Sequence, residues 1–289
     1  MNAEKFAFRT KLRTLTDHTV TGLSIAATIL VVAPLVAIFV YLVLRGASSL
    51  NLDFFIKVPK PVGEVGGGMA NAIVGSGVLL GVASLIGVPM GIGGGIFLAE
   101  FGRGTKMANA IRFTADVLNG VPSIVMGLAI YSLVVVPQRT FSAFSGGVAL
   151  GIMMVPTVCR TTEEMLLMVP NAVREAALGL GVPNWRSVLS ITVRTASPGI
   201  ITGCMLAFAR VAGETAPLLF TAFGNPFLTT SLNRPIEALP LQIFVYANSP
   251  YEDWHRLAWG GALVLILLIV LAVSLVRYVT SRGVLKGAS

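Results

Sequence analysis

Charge is scarce in this chain. Asp, Glu, Lys and Arg make up 12% of its 289 residues, about half of what a soluble domain of that length carries. Cysteine and histidine are nearly missing. Cys159 and Cys204 lie in apolar helical contexts, where ordinary buried thiols are expected and a disulfide scaffold is not. His18 and His255 have no second ligand at helical spacing, so no metal site is expected. None of the six lysines is followed by Ser or Thr. The run GIGGG at 91–95 therefore lacks the Gly-Lys-Ser/Thr of a phosphate-cradling loop, and no cofactor is expected on this chain. No HExxH pattern and no nucleophile elbow occur, which excludes the usual intramembrane hydrolases.

What the chain has in abundance is apolar sequence: 55% hydrophobic residues and a mean hydropathy of +0.83. Runs of twenty or more such residues recur, each long enough to cross a hydrocarbon core of roughly 30 Å. The expectation is an all-α polytopic membrane protein with six transmembrane helices at about 19–44, 70–98, 117–137, 144–160, 197–221 and 257–278. The basic N-terminus runs into an apolar stretch too long for a signal-peptide core, so the first span is read as uncleaved. Three parts follow: an N-terminal segment 1–18, a membrane domain 19–278 and a C-terminal segment 279–289.

The connections alternate in charge. Fourteen of the 21 Lys and Arg fall in the N-terminus, the 99–116 loop, the 160–196 loop and the C-terminal end from Arg277. The positive-inside rule then places both termini and the 160–196 loop in the cytoplasm. The pI near 9.9 is thus a topology signal, and no nucleic acid is expected as a partner. In the second span Gly77, Gly81, Gly87, Gly91 and Gly95 recur at helical spacing, which suits close helix approach. The proline- and aromatic-rich loop Phe223–His255 lies on the other side, with Trp254 and Trp259 as interfacial anchors.

The 160–196 loop contains, at 173–194, the most polar long segment of the middle of the chain. Its sequence VREAALGLGVPNWRSVLSITVR predicts two short helices, with Asn171 and Asn184 as N-caps and Gly179 or Gly181 as the left-handed residue ending the first. A DNA-binding helix-turn-helix would need a compact third helix and a free recognition face, whereas this pair is tethered to spans at both ends. A cytoplasmic docking element fits better.

Glu175, Ala176, Ala177, then Gly181 and Ile191, match the EAA---G---------I-LP pattern, departing only where Val193 and Arg194 replace Leu-Pro. In this the loop resembles the coupling loop of type I ABC-importer permeases. VPSIVMGLAIY (121–131), VCRTTEEMLLMVP (158–170), ARVAGETAPLLFTA (209–222), GGGMANAIVGSG (66–77) and FLAEFGR (97–103) narrow the likeness to PstA-type permeases of phosphate-specific importers. It covers about residues 60–278, with the importer core at about 66–278. The resemblance implies cytoplasmic EAA coupling helices, in which Glu175, Ala176, Ala177 and Gly181 couple to an ATPase. It also implies a PstC-type sister permease in a heterodimer, a PstB-type ATPase dimer carrying ATP and Mg, an external phosphate-binding protein and surrounding membrane lipid. On this reading the chain is not itself an enzyme.

Ionisable residues inside spans default to a functional reading. Arg210, near the middle of the fifth span, offers a fixed positive charge and a planar fork of donors to an oxyanion; Glu214, a turn later, can share its face. Arg160 and Glu163, at the expected cytoplasmic end of the fourth span, form a candidate gate, and Thr161 and Thr162 offer hydroxyls beside them. A permease for another oxyanion, such as molybdate or sulfate, is the alternative reading. An ion-coupled secondary carrier would require inverted repeats of broken helices, which the sequence does not show.

Overall fold

Proline and glycine positions explain most of the helix boundaries. The computed structural model describes residues 3–62, 64 and 66–286. In chain order the helices are α1 (Ala3–Ala47), α2 (Leu52–Ile56), α3 (Ala70–Phe101), α4 (Lys106–Gly120), α5 (Ser123–Gln138), α6 (Ala143–Leu167), α7 (Asn171–Gly179), α8 (Asn184–Ala212), α9 (Ala216–Thr221), α10 (Leu239–Ala247) and α11 (Glu252–Lys286). Among the described residues there is no β-strand, and an isolated bridge joins Phe223 to Ile236.

Helices α1, α3, α6, α8 and α11 are long and apolar enough to cross a membrane; α4 and α5 make a sixth crossing only as a pair bent by 108°. The expected third span at 117–137 is corrected accordingly. It is broken at Val121-Pro122: 117–120 belong to α4, which begins within what reads in sequence as loop, and α5 starts at Ser123. Pro122 is the cause: its ring keeps Val121 out of the helical region, at φ −70°, ψ 132°.

Two further boundaries move. The fourth span runs to Leu167, so Arg160, Thr161, Thr162 and Glu163 lie inside a helix that nothing interrupts before Val169-Pro170. The fifth begins at Asn184 and passes through a π turn at Val188–Thr192 without a break. The second short helix expected in the loop is therefore the first turns of α8. The N-caps are Pro170 and Pro183, with Asn171 and Asn184 one position inside and no side-chain cap bond. Proline already lacks the N–H that a helix start leaves unbonded. At the end of α7, Gly181 (φ +77°) is the left-handed residue. The Gly181 N–H donates to the Leu178 carbonyl and the Val182 N–H to that of Ala177, at 2.9 and 3.2 Å, a Schellman closure.

The core is the seam between α3 and α6. Gly87, Gly91 and Gly95 lie against Met154, Val158 and Thr162, where an added Cβ would come within 2.5–2.7 Å of those side chains. In return Gly146, Gly147 and Gly151 of α6 receive Leu79, Val82 and Ile86. Gly77 and Gly81, the other half of the expected stripe, have nothing within 4 Å. Helix α8 seats Gly199 on Met165 and Gly203 on Thr161. The buried cluster continues through Ile200, Ala207, Leu218 and Leu241. Helix α1 touches α11 near its end, Tyr41 meeting Trp259 edge-on at 5.2 Å. Between Arg13 and Val40, α1 exposes apolar residues such as Leu30 and Leu35, as a helix facing lipid or another subunit does.

Candidate functional site

Four groups of polar residues interrupt this apolar bundle.

At the α7 end, Glu175 and Ala176 are exposed while Ala177 is buried. Glu175 makes no ion pair within the described residues. Its neighbour Arg174 turns inward. Arg174 Nη2 donates to Glu100 Oε1 at 2.7 Å and to the Leu166 carbonyl at 2.7 Å. Its Nη1 donates to the Val169 carbonyl at 2.6 Å and to Asn171 Oδ1 at 3.2 Å. Glu100 stands in the π turn that ends α3. The loop helix thus presents one charge outward and anchors itself by the next residue.

Above it, α4 and α6 share four charges. Glu163, with 4% of its side chain exposed, accepts from Arg112 Nε at 2.7 Å and from Arg160 Nη1 at 2.8 Å. Arg160 Nε also meets Asp116 Oδ1 at 3.2 Å. Arg112 Nη1 donates to Asn109 Oδ1 and its Nη2 to the Leu98 carbonyl, and Thr157 donates to Asn119 Oδ1 at 3.1 Å. The cluster is neutral, two cations against two anions. Arg112 and Asp116 escape a reading that treats 99–116 as loop, although their i,i+4 spacing is a helical signal. The threonines beside them point elsewhere. Thr161 Oγ1 donates to the Thr157 carbonyl of its own helix, and Thr162 is buried against Gly95 with no partner for its hydroxyl.

In the middle, α8 stops at Ala212. Gly213 caps it and Pro217 sits in the first turn of α9. Glu214 therefore lies in the break, and the expected sharing of a helical face with Arg210 does not occur. No ion pair joins the two or links either to another described residue. Depth follows from packing: Gly203 meets Thr161, while Val211, Ala212 and Glu214 line a small void with Leu150. Arg210 lies in the last turn of α8, next to the void-lining Val211 rather than near the middle of the span, and it is exposed.

At the other end, the segment between α9 and α11 roofs a cavity of about 550 Å³, whose lining includes Phe223, Phe227, Glu237, Gln242, Tyr246 and Trp254. Burial pushes the Glu237 carboxyl up to about 7, against the N–H groups of Ala238 and Asn225 that favour its charged form. Tyr246 and Trp254 stack at 4.6 Å, so Trp254 is packed as well as placed to anchor. Gln242 donates to the Tyr246 hydroxyl at 3.1 Å, leaving its own Oε1 buried without a partner.

The described residues hold no group of three or more His, Cys, Asp or Glu placed to bind a metal.

Comparison with known proteins agrees with that geometry. Residues 91–283 match the family described as binding-protein-dependent transport system inner membrane component. The phosphate transport system permease protein PstA of Yersinia pestis is 47% identical over 240 residues, covering 83% of this chain and 81% of its own. That of Haemophilus influenzae is 44% identical over 249 residues, covering 86% and 88%. The probable ABC transporter permease protein YqgI of Bacillus subtilis is 34% identical over 275 residues, covering 89% and 92%. In fold, the chain resembles a chain of the inward-facing MetNI methionine ABC transporter, with TM-score 0.56 and 18% identity over 75% of this chain and 96% of that one. It also resembles a chain of an amino acid ABC transporter, with TM-score 0.52 and 19% identity over 73% and 92%. With its glycine-sutured spans, outward-facing Glu175 loop and broken fifth span, the chain is a membrane permease that belongs to the binding-protein-dependent transport system inner membrane components, among their PstA-type members.

Proposed function

We propose that this permease carries inorganic phosphate into the cell as one subunit of an ATP-driven importer working by alternating access. Its partners on this reading are a PstC-type sister permease, a PstB-type ATPase dimer that holds ATP and Mg, and an external phosphate-binding protein. No cofactor is bound by this chain. It lies in the bacterial inner membrane with both termini and the Glu175 loop in the cytoplasm. Closure of the ATPase dimer pushes α7, and the push shifts α6 and α8, which flank it in the chain. The neutral Arg112–Asp116–Arg160–Glu163 cluster ties α4 to α6 as a latch on the same side. The binding protein supplies most of the selection, and the path itself only needs to make a multiply charged anion tolerable at mid-depth.

Arg210 is the observation that carries the reading. It is a cation in the last turn of α8, beside a helix break, exposed and in no ion pair among the described residues. That supports an electrostatic role toward an anion in transit more than a scaffold role. The test is uptake of radiolabelled phosphate by proteoliposomes holding the complete complex, with binding protein inside or outside as orientation requires. Arg210→Gln should assemble normally, since no carboxylate is orphaned, yet transport at least about tenfold more slowly if the charge contributes a little over 1.4 kcal/mol to the barrier. Unimpaired uptake in that variant sinks the pathway role. Equal competition by sulfate or molybdate transfers the substrate assignment to another oxyanion.

A further inference from the structure

We propose that Arg174 is a positioning residue that makes α7 one mechanical unit with the ends of α3 and α6, so that its loss uncouples ATP hydrolysis from transport. The inference rests on the coupling role proposed above for the Glu175 loop.

The geometry behind it is a division of labour between adjacent residues. Glu175 is exposed and in no ion pair among the described residues, whereas Arg174 and Glu100 retain only 14% and 7% of side-chain exposure. The Arg174 guanidinium spans three elements. Toward α3, its Nε lies 3.2 and 3.3 Å from the two Glu100 oxygens and its Nη2 2.7 Å from Oε1. Toward α6, it donates to the Leu166 carbonyl in the last turn of that helix and to the Val169 carbonyl in the link to α7. Within α7 it bonds Asn171 Oδ1. Only the planar fork of arginine has enough fixed donors for a carboxylate and two separate carbonyls; a lysine ammonium keeps the charge and loses the simultaneous grip.

Without this contact α7 has few other holds. It buries Ala177, with Val173 partly buried against the main core. Its chain connections are Val169-Pro170 on one side and the Gly181 turn on the other. Pushing the Glu175 face would then tilt α7 about those joints instead of moving α3 and α6. The π turn carrying Glu100 is continuous with the Gly87–Gly91–Gly95 seam, so displacement of Glu100 acts on the helix pair that forms the core.

The decisive quantity is phosphate transported per ATP hydrolysed in proteoliposomes containing the whole complex, measured for Arg174→Lys, Glu100→Gln and Glu175→Lys. Arg174→Lys and Glu100→Gln should co-purify with the ATPase and hydrolyse ATP, while transport per ATP falls about tenfold, within the range of ordinary coupling energies. Glu175→Lys should lose the ATPase altogether. An unchanged ratio in both Arg174→Lys and Glu100→Gln overturns the proposal while leaving the docking role intact. Failure of both variants to yield an assembled complex also overturns it, in favour of a purely structural ion pair. Normal ATPase association and uptake in Glu175→Lys would instead remove the reading on which it rests.

Discussion

At the scale of single residues, two carboxylates in different surroundings make opposite predictions. Glu163 is buried between Arg112 and Arg160, and deleting one member of a buried pair costs about 3–5 kcal/mol because the partners lose their counter-charge. Asp116 touches the same Arg160 but keeps 58% of its side chain exposed, where such pairs contribute no more than about 1 kcal/mol. Glu163→Ala should lower the thermal midpoint of the detergent-solubilised complex clearly more than Asp116→Ala; equal shifts would show that burial does not set the worth of this cluster. Glu237 behaves otherwise. Its native carboxyl titrates near 7 against 4.5 for an unperturbed one, so between those values the folded protein holds a proton that the unfolded chain has released. Stability therefore falls as pH rises through that window and levels off above it, by about 3.5 kcal/mol at most given ~1.4 kcal/mol per unit. Glu237→Gln should abolish that slope. Thermal midpoints of both proteins between about pH 5 and 8 test it, and parallel curves would refute the burial argument.

At the scale of elements, glycine and proline act by what adjoins them. A side chain at Gly91 would place its Cβ 2.6 Å from that of Val158. Overpacking of a helix seam commonly costs about 1–3 kcal/mol. Gly77, on the same helix, meets nothing within 4 Å, and exchanging a mid-helix glycine for alanine at an open site gains about 0.5–1 kcal/mol. Gly91→Val should accordingly lower the yield and midpoint of folded protein, and Gly77→Ala should match or exceed the parent. Comparable losses in both would mean that Gly77 is covered by another subunit in the complex. At the end of α7, Gly181→Ala should cost about 1–2 kcal/mol of local helix stability, since φ +77° is unfavourable with a Cβ. Faster hydrogen exchange confined to 171–182 is the signature to look for.

At the scale of the whole molecule, the charge bias sets an orientation that labelling can read. Leu180 is 85% exposed at the α7 turn, and Asn233 is exposed at the opposite end of the bundle. Cysteines introduced singly at those positions, with Cys159 and Cys204 replaced, should react differently with a membrane-impermeant maleimide. In intact cells position 233 should label and position 180 should not until the membrane is opened. The reverse pattern would invert the topology and move the coupling loop outside.

The sequence alone determined what depends on local composition. Apolar length gave the membrane class and the places of the spans, charge bias gave an expected orientation, and the Glu175–Gly181 pattern marked the loop whose Gly181 turn the structure bears out. Those signals are legible because hydropathy and turn chemistry act on neighbours in the chain. Only the tertiary structure decided which charges meet. Arg112 and Asp116 sit on a helix that an apolar-run reading takes for loop, and Glu100 and Arg174 are 74 residues apart. Glu214 is separated from Arg210 by a helix end that Gly213 and Pro217 impose, and sequence spacing counted it as one continuous turn. Pairing of side chains across elements depends on how two surfaces pack, and glycines at Gly87, Gly91 and Gly95 set that approach only once α6 supplies the residues that fill them.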